Sequence, residues 1–181
     1  MAGYDNDIRN DLGDILTNKR GTEWVRVGAV TNKDSGAESI DVRVWYMNDD
    51  GQDTPTAKGF RMKRADVVDA LGKIEESLET GSFEVAERLE DGTDREELAT
   101  YKAGRDELVV ARVVVKEKDG GLTDEKCIDI RRWYYDENDE LKPTKKGIRL
   151  KGEVLSGVLS LIDNYLQDGA EEHAETDECN Q

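Results

Sequence analysis

Apolar and polar residues alternate along several stretches of this chain, and twice the period changes from two to that of a helix. "WVRVGAVT" (24–31) and "LVVARVVVK" (108–116) are rich in β-branched residues, and each is followed by turn chemistry at Asp34-Ser35-Gly36 or Asp119-Gly120-Gly121. "IDVRVWYM" (40–47) and "IDIRRWYY" (128–135) read as second strands, closed by turns at Asp49-Asp50-Gly51 and Glu137-Asn138-Asp139. After short strands at Pro55 and Pro143, fourth strands begin at Gly59 and Gly147. Phe60 and Met62 then oppose Arg61 and Lys63, while Ile148 and Leu150 oppose Arg149 and Lys151, so one sheet face is apolar and the other basic. Val67, Leu71, Ile74 and Leu78 fall at helical spacing, as do Leu155, Leu159, Ile162 and Leu166. The second helix has an additional row at Val154, Val158, Leu161 and Tyr165, which predicts a second packing partner, the first repeat.

These stretches form one unit written twice. Ile40–Leu78 aligns without a gap on Ile128–Leu166, and the repeated block contains both prolines of the chain. Upstream, "WVRVGAV" aligns with "VARVVVK", Arg26 opposite Arg112, with a slightly longer following loop in the second copy. The expected organisation is an N-terminal extension over 1–23, a first repeat over 24–78, an acidic connector over 79–107, a second repeat over 108–166 and a disordered acidic tail over 167–181. Tyr4, Ile8, Leu12, Ile15 and Leu16 predict a short amphipathic helix in the extension, and Phe83–Ala103 predicts further helix broken at Asp91-Gly92.

Composition narrows the function. The net charge is −16, yet the excess acid lies in the connector and the tail, while Leu108–Leu166 holds as many basic as acidic residues. Cys127 and Cys179 make no disulfide framework, which sets an intracellular location as the expectation. No apolar run is long enough to cross a bilayer, and residues 1–15 lack the basic and apolar parts of a signal peptide. One histidine, in the tail, leaves no zinc site and no base for a Ser or Cys nucleophile, so neither an enzyme nor a cofactor is expected. Thr-x-Lys-Gly lacks the glycine frame of a phosphate loop.

The run I-D-[VI]-R-x-W-Y, a turn, then P-T-x-K-G-[FI]-R-[ML] and an amphipathic helix resembles the transcriptional coactivator positive cofactor 4 family. The resemblance covers about 24–78 and 108–166. It implies an α+β fold of two repeats, each a curved four-stranded antiparallel sheet plus a C-terminal helix, packed as an intramolecular pseudo-dimer. The connector reaches about 90 Å when extended, ample for such docking, and tethering supplies an effective concentration of order mM. It also implies binding of single-stranded DNA along the sheets. The family's contacts fall on Arg43 and Arg131, Tyr46 and Tyr134, and Lys58 and Lys146. Further basic positions are Lys142 and Lys145 in the second copy but Thr54 and Ala57 in the first, and neither strand one–two loop offers the family's aromatic.

The expected function is therefore sequence-tolerant binding of single-stranded DNA, or RNA, in transcription, replication or repair. Arg26, Arg61, Lys63, Arg112, Lys116, Lys118, Arg149 and Lys151 join the set on phosphates, and Trp45 and Trp133 join the tyrosines on bases. The second repeat should be the stronger half. The alternative is an acidic protein-interaction module that kept the fold and lost strong nucleic-acid affinity. The expected partners are the strand and, through the acidic tail, transcription or replication proteins. No membrane partner is expected, and the pseudo-dimer should be monomeric, with further pairing left open.

Overall fold

The computed structural model describes residues 7–79, 87–88, 94–114 and 127–177. Strands β1 (Asp7–Leu16), β2 (Glu23–Asn32), β3 (Glu38–Met47) and β4 (Asp53–Lys63) form an antiparallel sheet in sequential order, followed by α1 (Arg64–Glu79). A second antiparallel sheet follows, built from β5 (Glu87–Arg88), β6 (Asp94–Ala103), β7 (Asp106–Val114), β8 (Cys127–Tyr135) and β9 (Leu141–Lys151), then α2 (Gly152–Asp177). The α+β reading holds, with the two-residue β5 as an extra edge on the second sheet.

Two segments expected as helix are strands. The extension is β1 and the end of the connector is β6, so each repeat begins with a strand that the helical spacing concealed. The physical reason is a bulge. The pairing of β1 with β2 slips between Asp11 and Gly13, and that of β6 with β7 slips between Glu97 and Ala99. One extra residue resets the alternation, which leaves Leu12 and Ile15 against the core at a spacing that imitates a helical face. "WVRVGAVT" is thus a second strand, not a first. The short strand and the fourth strand of each copy are one continuous strand, β4 or β9. Pro55 and Pro143 sit inside these strands opposite Trp45 and Trp133, which a position at the sheet margin permits. The tail does not begin at Gln167, because α2 continues to Asp177.

The block repeats because the same local devices recur. Asn48 accepts from the amides of Asp50 and Gln52, and Asp136 accepts from those of Asn138 and Glu140. Gly51 and Asp139 take positive φ at the same turn position. In β4 and β9 a bulge faces the second half of β3 and β8. The Thr56 hydroxyl donates to the Val44 carbonyl, and that of Thr144 donates to the Arg132 carbonyl. Arg43 and Arg131 reach across to the carbonyls of Thr56 and Thr144 at 3.0 and 2.9 Å. Gly59 and Gly147 follow because a Cβ there would strike the Val42 or Ile130 carbonyl.

Both repeats share one core, bounded by the helices. α1 lies on β3 and β4 and also on β6 and β7, while α2 lies on β8 and β9 and also on β1 and β2. Leu161 of α2 covers Gly13 of β1, and Ile15 covers Gly157, so the additional apolar row of the second helix packs on the first repeat as its pattern predicts. Ile40, Val42, Val110, Ile128 and Leu150 are almost fully buried, each contributing roughly 1.5–3 kcal/mol relative to exposure. No helix among the described residues is long and apolar enough to cross a membrane.

Candidate nucleic-acid interface

Period two gives each sheet a helix side and an outer side. On the outer side of the first sheet stand Arg9, Trp24, Arg26, Arg43, Trp45, Arg61 and Lys63. Arg26 directly opposes Arg43, an arrangement that repels unless anions intervene. They do. Asp14 takes Arg26 through two hydrogen bonds of 2.7 Å, Asp53 adds one at 3.0 Å, and Asp11 lies at 3.9 Å. These bonds, led by Asp14, push the Arg26 guanidinium well above its ordinary value. Asp41, almost fully buried, receives Arg43 at 3.1 Å, Arg9 at 3.4 Å and Arg61 at 3.6 Å. Asp7 receives Arg61 at 2.7 Å, and that bond holds its carboxyl below the usual range. Among the described residues, then, Arg9, Arg26, Arg43, Arg61 and Lys63 face Asp7, Asp11, Asp14, Asp41 and Asp53. The basic face expected of this repeat is charge-balanced, and β1 supplies three of the carboxylates.

The second sheet differs at the matching places. Its outer side carries Arg95, Lys102, Arg131, Arg149 and Lys151 against Glu97, Glu107 and Asp129. Thr100 stands where Asp14 does, and Leu141 where Asp53 does. Asp129 holds Arg131 at 2.9 Å and Arg149 at 3.4 Å. Lys145, Lys146, Arg149 and Lys151 are exposed, as are Lys58 and Lys63 in the first repeat. Lys142 lies 2.6 Å from Glu140.

Arg112 is a correction. Arg131 pairs with Val109, and Arg112 pairs with Ile128, so the counterpart of Arg26 is Val109. Arg112 points to the helix side and donates to the Ser77 carbonyl at 2.9 Å. Lys116 and Lys118 lie outside the described residues.

The aromatic residues divide between packing and exposure. The Arg26 guanidinium lies 4.8 Å from the Trp45 ring centre with Arg9 at 5.6 Å, and Arg95 lies 4.4 Å from that of Trp133. Arg9 and Arg95 occupy equivalent places on β1 and β6, each beside the bulge that the two repeats share. Both tryptophans are thus covered by the protein's own arginines. Tyr46 and Tyr134 are exposed at strand ends, but they keep the helix-side parity of Val44 and Arg132. No bulge in β3 or β8 turns them toward Arg43 or Arg131, since the extra residues belong to β4 and β9. Tyr135, which block matching passed over because Met47 stands in the first copy, is 44% exposed and has the outer parity. Its hydroxyl donates to Glu107 at 2.9 Å, a bond that raises its pKa, and Lys102 lies 5.8 Å from its ring centre. A signal for β1 and β6 was present in the chain: Arg-x-[Asp/Glu]-Leu at Arg9–Leu12 recurs at Arg95–Leu98.

No group of histidine, cysteine or carboxylate side chains suited to a metal occurs among the described residues. The family model described as Transcriptional Coactivator p15 (PC4) matches residues 123–161, a segment that includes β8, β9 and the start of α2. No curated protein and no solved structure matches the chain.

Proposed function

We propose that this protein binds single-stranded DNA without strong sequence preference, acts in transcription, replication or repair, and does so chiefly through the outer side of its second sheet. The observation that carries the reading is a coincidence of position. The segment similar to the coactivator family is also the one that keeps Lys145, Lys146, Arg149 and Lys151 exposed, the last two on its outer side, where the described residues include fewer carboxylates than on the first sheet. These cations hold phosphates. Tyr135, on the same side, offers an exposed ring to an unpaired base, a role in which Tyr134 serves only for a strand that passes around the sheet end. Arg131 braces the bulge more than it offers a free fork, because its donors meet Asp129 and the Thr144 carbonyl. The first sheet contributes Lys58 and Lys63 at most, since phosphates would have to displace aspartates from Arg26, Arg43 and Arg61.

Fluorescence anisotropy with labelled oligo-dT and a duplex of equal length tests this. The expected result is preference for the single strand and an affinity that falls linearly with log salt. Equal affinity for both, or no binding at low salt, sinks it. The balanced outer side of the first sheet favours a second reading, a protein-interaction surface. Capture of proteins from extract that survives nuclease treatment, with no strand binding, would select that reading.

A further inference from the structure

A cleft of about 470 Å³ opens between the repeats, at the margin of both outer sides. Its walls are the ends of β3 and β4, the first turn of α1, the β6–β7 hairpin around Gly104, and Arg132 of β8. Among the described residues four cations line it, namely Arg61, Lys63, Lys102 and Arg132, with Asp66 as the one carboxylate on the lining. Three of the cations have carboxylate partners: Asp7 for Arg61, Glu107 for Lys102, and Asp106 for Arg132 at a long 3.4 Å. None of those partners lines the cleft, so the wall itself presents positive charge. Lys63 is exposed and has no ion-pair partner among the described residues. The N-terminal turn of α1 adds its amides and the positive end of its dipole on the same wall.

The pseudo-twofold places a second set of residues in the equivalent position, and the chemistry there is different. Register and alignment put Leu16 where Lys102 stands, Val44 where Arg132 stands, and Val154 where Asp66 stands. Two identical chains could not differ in this way, whereas one duplicated chain can. Arg149 and Lys151 stand where Arg61 and Lys63 do, so what this end alone has is the additional pair of cations, Lys102 and Arg132. A set of like charges facing one solvent-filled space lowers the cost of bringing in an anion and offers nothing to a neutral ligand.

We infer that this cleft is a phosphate-binding site, used once per chain, in which Lys63, Lys102 and Arg132 hold a phosphate group between the repeats. Resting on the strand-binding reading above, the source is a backbone phosphate of a strand that leaves the second sheet and crosses to the first. A free phosphate compound is the other source of the same chemistry. The volume admits a phosphate with its sugar, within the size of ordinary ligand sites.

The test exchanges the cleft for its own counterpart, with Lys102→Leu and Arg132→Val combined, and uses Lys63→Gln as a second, exposed variant. Thermal melting checks folding. Two probes are read: inorganic phosphate, by the shift of the Gly104 amide resonance, and oligo-dT, by anisotropy. The expected result is a saturable Gly104 shift that the double variant loses. Its strand affinity should fall several-fold, with a salt slope shallower by up to about 1.4, the share of two cations on a single strand less what Glu107 and Asp106 already neutralise. A Gly104 shift with unchanged strand affinity keeps the site and assigns it to a free phosphate compound. If the protein binds no strand yet phosphate shifts Gly104, the strand-binding reading fails and the cleft stands. A silent Gly104 together with unchanged strand affinity in both variants overturns the inference, whatever the outer sides do.

Discussion

Arg26 of the first sheet sits among Asp14, Asp53 and Asp11, and the same place in the second sheet holds Val109 near Thr100, Leu141 and Glu97. The first outer side keeps its arginines and supplies their anions from within; the second discards one arginine and two aspartates. A phosphate arriving at Arg26 must replace a bidentate carboxylate, which exchanges one charge-assisted pair for another and leaves little net gain. A phosphate arriving at Lys145 or Lys146 replaces only water, because neither has an ion-pair partner among the described residues. The lesson is that a count of basic residues on a face says little until their partners are known. What the two sheets share is framework, and what separates them is whether the charge is already spent.

The largest effect should come from the shared framework. Gly59→Ala and Gly147→Ala each place a methyl group on a backbone carbonyl of the neighbouring strand, at a bulge that a flexible side chain cannot relieve. Either change should cost about 3 kcal/mol, as overpacking against backbone does. Urea unfolding of the two variants measures it. Tolerance at one position and collapse at the other would show that the bulges are not equivalent, and the comparison would lose its frame.

Next in size is the difference in binding. Arg149→Ala with Lys151→Ala should weaken oligo-dT binding several-fold and make the salt slope shallower by up to about 1.4, less the share that Asp129 already neutralises on Arg149. Arg61→Ala with Lys63→Ala touches the aspartate-held side and should change affinity less, through Lys63 alone. Anisotropy at several salt concentrations reads both. Equal losses would mean that the aspartates of β1 do not shield the first sheet. No loss in either would place the strand elsewhere.

The two sheets were legible in the chain to different depths. The repeated block was plain because the bulge threonine and the close-approach glycine each demand one residue type, so Pro-Thr-x-Lys-Gly survives in both copies. β1 and β6 were hidden by their bulges, which turn a period of two into an apparent helical spacing at Leu12 and Ile15. That single misreading removed Asp7, Asp11 and Asp14 from view, and with them the balance of the first outer side. Arg112 failed for a related reason. In the valine-rich run 109–115 many registers look alike, and an odd-numbered slip carries a side chain to the opposite side of the sheet. Tyr135 carries no repeat signal, because its counterpart in the first copy is Met47.

The smallest effect isolates one of those carboxylates. Asp7→Asn removes the charge from the acceptor whose bond with Arg61 holds the Asp7 carboxyl below its ordinary value, and leaves Asp41 as the charged partner of Arg61 described above. Because the folded pKa is the lower one, the stability that the charged group supplies is present above the unfolded value near 3.9. It disappears as pH falls through the depressed folded value. The variant should therefore melt slightly below the parent at neutral pH, and the two curves should converge in acid. The carboxyl is part-buried and its partner Arg61 is partly open to solvent, so the gap should be modest and should shrink with salt. In strand binding at pH 7 the sign reverses: freeing Arg61 in part should raise affinity for oligo-dT modestly, narrowing the gap between the two sheets. A melting difference that persists in acid would trace the effect to packing instead of charge. Unchanged affinity would mean that the partners left to Arg61, Asp41 among them, are enough to occupy it.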